Sequence, residues 1–229
     1  DPMYHAIDVA QLSADAQKGE LLTTMVFDFA DAFMPIPLDA SERPYNCAVL
    51  EQPLHRQRPP LHDHEPLSGT CIGWRVLGFG GKPNPLVYAR AASFAMRVGQ
   101  ALLGRPARSS CSRRSLARAL CQLYTDDTVC TLAGAPEHVA RSLDLLLVWW
   151  LVVGIPLAWK KGTLADAASD HQWIGVMFRS TTAGEAVMSL PKAFVQTLLA
   201  QLQPLCTGRG SVPLRELQTI VGRAGRVAF

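Results

Sequence analysis

The stretch CQLYTDDTVCTL, residues 121–132, decides how the chain reads. Apolar and β-branched runs flank two adjacent aspartates, Asp126 and Asp127, so the segment predicts a β-hairpin with both carboxylates at its tip. An Asp-Asp pair suits a tight turn. Two like charges side by side still repel, and a single polar residue there could serve the turn alone. A divalent cation removes the objection. Mg²⁺ takes hard oxygen ligands, usually a few carboxylates plus substrate phosphates, so the pair needs a third partner.

Asp28 is that partner. It lies near the end of the apolar run TTMVFDF, residues 23–29, which reads as a buried strand. A charge there is unfavourable unless something binds it. With that strand beside the hairpin, Asp28, Asp126 and Asp127 converge. Three carboxylates and a nucleoside triphosphate are what two-metal phosphoryl transfer requires.

The rest of the composition permits such a site. The chain has 229 residues, 48% hydrophobic and 18% charged, enough to bury a core and too apolar for a disordered tail. The net charge of +3 is compatible with nucleic acid but does not argue for it alone. None of the six cysteines forms a C-x-x-C pair and no signal peptide opens the chain, which points to reduced thiols in a cytoplasmic or nuclear compartment. The apolar segment LLLVWWLVVGIPLAW, residues 145–159, has 15 residues and is broken by Gly154 and Pro156. A bilayer needs roughly 20, so it reads as a buried helix followed by a strand. The chain starts at Asp1 and stops in the apolar GRVAF, which suggests a piece of a longer protein.

A pass along the chain predicts a short helix over 13–22, the strand over 23–29, and a second strand in CAVLEQPL. The Pro- and His-rich segment 51–70 reads as an exposed loop. CIGWRVLGF reads as a strand, GGKPNP as a tight loop, and 86–103 as a helix stopped by Gly104 and Pro106. After the hairpin, Pro136 opens a helix to about Val153. PLAWKKG and HQWIGVMFR read as strands, with EAVMSL available to pair with the latter. Two amphipathic helices follow, in PKAFVQTLLAQLQPL and PLRELQTIVGRAG. This is an α+β fold: an antiparallel sheet with helices on one face, then a helical end.

At this point the residues carry a resemblance. The chain resembles the palm and the start of the thumb of a reverse transcriptase of retrotransposon type. VFDFADAFMPIPL is similar to that family's first motif, and LGFGGKPNPLVY to the second, Leu-Pro-Phe-Gly-x-Lys-x-x-Pro with an aromatic three residues on. LYTDDTV is the Tyr-x-Asp-Asp box, GIPLAWKKG resembles the fourth motif, and HQWIGVMF the primer-grip strand. A single Y-x-D-D is weak; five motifs in the family's order are specific. The helical tail resembles the family's thumb and connector. The resemblance divides the chain into a remnant of the fingers at 1–22, a palm at 23–190 with a loop insertion at 51–70, and thumb-like helices at 191–229.

The resemblance implies roles. Asp28, Asp126 and Asp127 would hold two Mg²⁺ ions, with Mn²⁺ as an alternative. Asp31 and the backbone around Ala32 would line the triphosphate site. Phe33 matches the aromatic under the sugar, where it would clash with a ribose 2′-hydroxyl. Phe79 and Gly80 would face the incoming nucleotide and template base, and Lys82 would support their loop. Lys161, or its neighbour Lys160, matches the lysine proposed to protonate pyrophosphate. Trp173, Ile174 and Gly175 would position the primer end.

The implied partners are a primed RNA or DNA template and a dNTP, with no membrane. Bland readings stand beside these: Asp31 capping a turn, Phe33 and Trp173 as core, Gly80 and Gly81 as loop geometry, and the lysine pair as a solvated strand end. His55, His62 and His64 could bind a transition metal, but their irregular spacing and the prolines among them favour an ordinary loop, and Arg105, Arg108, Arg113, Arg114 and Arg118 read as either a phosphate-contacting or a solvated basic stretch.

Gly78 stands where the second motif usually has proline, and Pro83 and Asn84 are unusual there. Only 27 residues precede Asp28, where the family has a whole fingers subdomain. Four readings therefore remain in competition: an RNA-directed DNA polymerase domain, an RNA-templated RNA polymerase that Phe33 disfavours, an inactive remnant that at most binds nucleic acid, and, weakest, a membrane-associated protein built around residues 145–159.

Overall fold

The computed structural model describes residues 1–50, 70–78, 81–104, 116–166, 169–180, 184–206 and 213–225. Its centre is a four-stranded antiparallel sheet of β1 (Leu21–Asp28), β4 (Arg118–Tyr124), β5 (Asp127–Gly134) and β6 (Thr163–Asp166), in the order β4-β5-β1-β6. The two middle strands are the apolar run and the returning arm of the hairpin. Both are nearly continuous in buried residues, which is why they occupy the centre.

Side-chain alternation sorts the sheet into two faces. Met25 and Phe27 of β1 and Cys130 and Leu132 of β5 pack against α2 (Asn84–Leu103) and α3 (Pro136–Val152), through Ala92, Met96, Leu146 and Trp150 among others. At Gly99 of α2 an added Cβ would lie 2.7 Å from Leu146 Cδ1, so the absence of a side chain lets the two helices approach. The opposite face is also covered. Val26 and Val129 pack against Ala6 of α1 (Pro2–Ala14) and against Trp173, Phe178 and Ile174 of a three-stranded meander. The meander is β7 (His171–Trp173), β8 (Val176–Ser180) and β9 (Ala186–Ser189). The α+β class therefore holds, whereas helices on one face holds for α2 and α3 but not for α1.

Several predicted elements move. The N-terminal helix occupies Pro2–Ala14 rather than 13–22, because Asp1 accepts the Met3 N–H at 2.9 Å and Pro2 fits the first helical turn. Gly19, at φ +91°, then turns the chain into β1. PLAWKKG is not a strand. Pro156 has no N–H to give a ladder, and the segment is fastened by single bonds to the end of β1: Ala30 N–H to the Pro156 carbonyl at 2.8 Å and Ala158 N–H to the Asp28 carbonyl at 2.9 Å. The strand in this region starts later, at Thr163.

HQWIGVMFR is a hairpin, not one strand, turning at Ile174 (φ 41°) and Gly175 (φ 81°). Among the described residues of CIGWRVLGF, Cys71–Gly73 belong to β3 (Thr70–Gly73), which pairs with β2 (Cys47–Leu50), and Val76 makes an isolated antiparallel bridge to Pro37. The remaining predicted residues of CAVLEQPL lie outside the described set. EAVMSL pairs with β8 as β9. The tail forms α4 (Lys192–Cys206) and α5 (Leu214–Ala224), packed on each other.

Two polar devices fix the hairpin. Arg118 at the start of β4 pairs with Glu20 at 2.5 Å, so this member of the basic stretch is already neutralised; the others lie outside the described residues. Gln100 of α2 lies along the free side of β4. Its Nε2 donates to the Ala119 carbonyl at 2.9 Å and its Oε1 accepts the Cys121 N–H at 2.7 Å.

Candidate active site

The predicted carboxylates come together. In the β1–β5 ladder Asp28 lies directly opposite Asp127. The Phe29 N–H donates to the Asp126 carbonyl at 3.0 Å, so by alternation Asp28 and Asp127 form a non-hydrogen-bonded pair, where side chains approach most closely. Asp126 occupies the two-residue turn between Tyr124 and Asp127, behind Thr125 at φ 58°. A β-branched residue in the left-handed region is rare and costs of order 1–3 kcal/mol. The strain is held at the tip of the hairpin, next to the two carboxylates.

The electrostatics are those of crowded negative charge. Burial, with the charge of Asp28 nearby, raises the Asp126 carboxyl above its usual range. Burial and the charges of Asp126 and Asp28 raise Asp127. Lys161 opposes both. Its ammonium is ion-paired to Asp28 Oδ2, which raises the lysine's own pKa. The Asp28 side chain is 16% exposed and that of Lys161 70%, so the cation reaches in from solvent and can leave. Of the lysine pair, Lys161 rather than Lys160 makes this contact. Its backbone is set by a turn in which its N–H donates to the Ala158 carbonyl at 2.8 Å. Gly162 follows because an added Cβ would lie 2.6 Å from Phe27 Cζ, inside the core.

The surrounding residues divide. Asp31 is exposed, adopts φ 49°, and its carbonyl accepts the Met34 N–H at 2.8 Å in a turn beyond β1. Ala32 and Phe33 are buried, and the Phe33 ring packs on Tyr88 of α2 with centroids 4.7 Å apart. Lys82 is exposed in the loop before α2. That loop is tied together by buried Asn84, which donates to the Gly78 carbonyl at 2.6 Å. Phe79 and Gly80 lie outside the described residues, as do His55, His62 and His64. Trp173 is 1% exposed, so its side chain is core; its indole N–H donates to the Asp127 carbonyl at 3.3 Å. At the turn beyond it Ile174 is half-buried and Gly175 exposed.

The sequence assigns Tyr88 no role beyond the aromatic position of the stretch that resembles a second motif. Burial, and the charges of Asp126 and Asp28, push its phenol well up. Trp159 was missed as well. It packs edge-on against Phe27 with centroids 5.6 Å apart, beside Lys161. A turn tryptophan among lysines carries no sequence signal for that contact.

Among the described residues no three His, Cys, Asp or Glu side chains form a ready metal-ligand group, and Asp28 is ion-paired to Lys161. The chemistry of the donor set nevertheless fits a hard divalent cation: carboxylates only, crowded enough that two of them hold protons more tightly than normal. Among the described residues no helix is long and apolar enough to cross a membrane. Compared with known proteins, the chain matches no family model and no curated protein.

Proposed function

We propose that this chain is the palm and partial thumb of an RNA-directed DNA polymerase of retroelement type, a nucleotidyltransferase acting on a primed RNA or DNA template with dNTPs. The observation that carries the reading is the register Asp28 opposite Asp127, with Asp126 beside them and Lys161 on Asp28. Four residues from three separate stretches of the chain meet at one end of the sheet, and this convergence is what supports the resemblance.

In this reading Asp28, Asp126 and Asp127 would hold two Mg²⁺ ions, or Mn²⁺. Bound there, the metal supplies activation of the primer 3′-hydroxyl and neutralisation of the leaving pyrophosphate. The protein's own part is positional and electrostatic. Lys161 balances the carboxylates while the site is empty of substrate. Its ammonium, largely exposed to solvent, would be the group that donates a proton to pyrophosphate. Phe33, backed by Tyr88, forms a rigid floor under the sugar and favours deoxynucleotides. Trp173 holds the Asp127 backbone from the meander side, so the Ile174–Gly175 turn keeps a fixed relation to the metal ligands.

The test is primer extension on poly(rA)/oligo(dT) with Mg²⁺, run beside an Asp126→Asn, Asp127→Asn double variant. Extension by the wild type alone supports the reading. Template binding without extension favours a remnant that only binds nucleic acid.

A further inference from the structure

We propose that Cys121 and Cys130 are a modification site: a thiol pair that a small peroxide oxidises to a disulfide across the base of the Asp126–Asp127 hairpin. The two residues are register partners on β4 and β5, and their Sγ atoms lie 2.9 Å apart. Tyr124 and Asp127 close the two-residue turn, so by alternation Cys121 and Cys130 form a non-hydrogen-bonded pair. The Cys121 N–H agrees, because it points away from β5 to Gln100. Antiparallel pairs of this kind hold Cα atoms about 4.5 Å apart, inside the range that a disulfide bridges without backbone movement. The inference stands on the strand register and does not depend on the polymerase reading.

The two sulfurs differ in access. Cys130 is buried in the core, and its hydrogen bond with Cys121 and its burial push its thiol well up. Cys121 is half-buried and lines a cavity of about 490 Å³ with Met96, Arg97, Gln100 and Leu123 on the outer side of β4. Cys121 is therefore the sulfur that meets an oxidant. Its thiolate attacks one peroxide oxygen, the O–O bond breaks, and water leaves behind a sulfenic acid. The Cys130 sulfur then attacks the sulfenic sulfur, the S–O bond breaks, and the second water carries off the Cys130 proton. Two thiols and one peroxide give one disulfide and two waters. A bulky disulfide oxidant would have to seat its own chain on half-buried Cys121 between α2 and β4, so the small oxidant is the fitting one.

The full chain is treated with hydrogen peroxide, denatured, alkylated and digested. Both cysteines fall on one tryptic peptide, residues 119–141. The expected result is a peptide lighter by about 2 Da that accepts no alkyl group until reduced. The melting temperature should rise by roughly 5–10 °C on oxidation, from closure of a short loop in the unfolded chain, and fall back on reduction. In Cys121→Ser neither change should occur. Should that variant fail to fold, the wild-type peptide mass alone decides. Oxygen added to Cys121 while Cys130 still alkylates, a bond from Cys121 to any other cysteine, or oxidation of exposed Cys47 with peptide 119–141 unchanged would each overturn the proposal.

Discussion

Lowering the pH from 7 to 5 should remove about 4 kcal/mol of stability through two histidines alone. His5 of α1 and His171 of β7 are buried and joined Nε2 to Nε2 at 2.8 Å, one ring donating and the other accepting. His5 contacts Phe178 and Trp173 edge-on, and His171 stacks on Phe178. Burial, and the neighbouring His171, lower His5 to about 3; burial lowers His171 to about 4. The unfolded chain titrates both near 6.5. Above that pH neither state is protonated and the stability is fully present. Below it the unfolded chain takes up protons that the folded chain refuses, so stability is lost as pH falls from 6.5 toward 3.

At pH 5 each ring contributes about 2 kcal/mol, since one pH unit is worth about 1.4 kcal/mol. Urea unfolding at the two pH values measures the loss, roughly 1–2 M in midpoint for a slope of about 2–3 kcal/mol/M. The control is His5→Leu, His171→Phe, which replaces both partners of the hydrogen bond by apolar groups. Carboxylates titrating in the same window cancel in the comparison. The reasoning fails if the double variant loses as much stability between pH 7 and 5 as the wild type does.

Three further outcomes are expected. Asp127→Asn relieves the like-charge pair opposite Asp28 and should raise the melting temperature at pH 7.5 in EDTA by about 1–4 °C, read by calorimetry. Its sign follows from the raised Asp127: that carboxyl costs stability as pH rises through its folded value, so the gain should shrink toward pH 4. Lys161→Ala should lower single-turnover extension by roughly 10²-fold, as for loss of a general acid, with the wild-type melting curve largely kept because the lysine is solvent-facing. Gly162→Ala should destabilise by about 1–3 kcal/mol in denaturant titration, because the new methyl meets the Phe27 ring at 2.6 Å and that ring is held in the core by Trp159.

The parts of the molecule legible in the sequence are those that local chemistry specifies. The hairpin, β1, α2 and α3 follow from period, β-branching and prolines at helix starts, and the convergence of Asp28 with Asp127 follows from an apolar strand carrying a charge at its end. What escaped depends on tertiary contacts. The Ile174–Gly175 turn puts a β-branched residue at positive φ, against its own preference, because Trp173 and Val176 must both face the core under α1. PLAWKKG has strand composition but spends its backbone groups on the end of β1. Tyr88 lies one helix away from the aspartates in sequence and becomes their neighbour only once α2 docks beside the hairpin. The His5–His171 pair spans 166 residues, and nothing local to either ring announces the other.

The side chain of Gln100 has a consequence for life in a crowded solution. An outer strand with free N–H and C=O groups invites a second chain to add itself, the first step toward aggregation. Gln100 presents the same donor and acceptor as a peptide unit, and fills the Ala119 carbonyl and the Cys121 N–H that an intruding strand would need. One amide side chain thus acts as a one-residue decoy strand. The edge arm that leads to the aspartates is thereby kept from recruiting copies of itself.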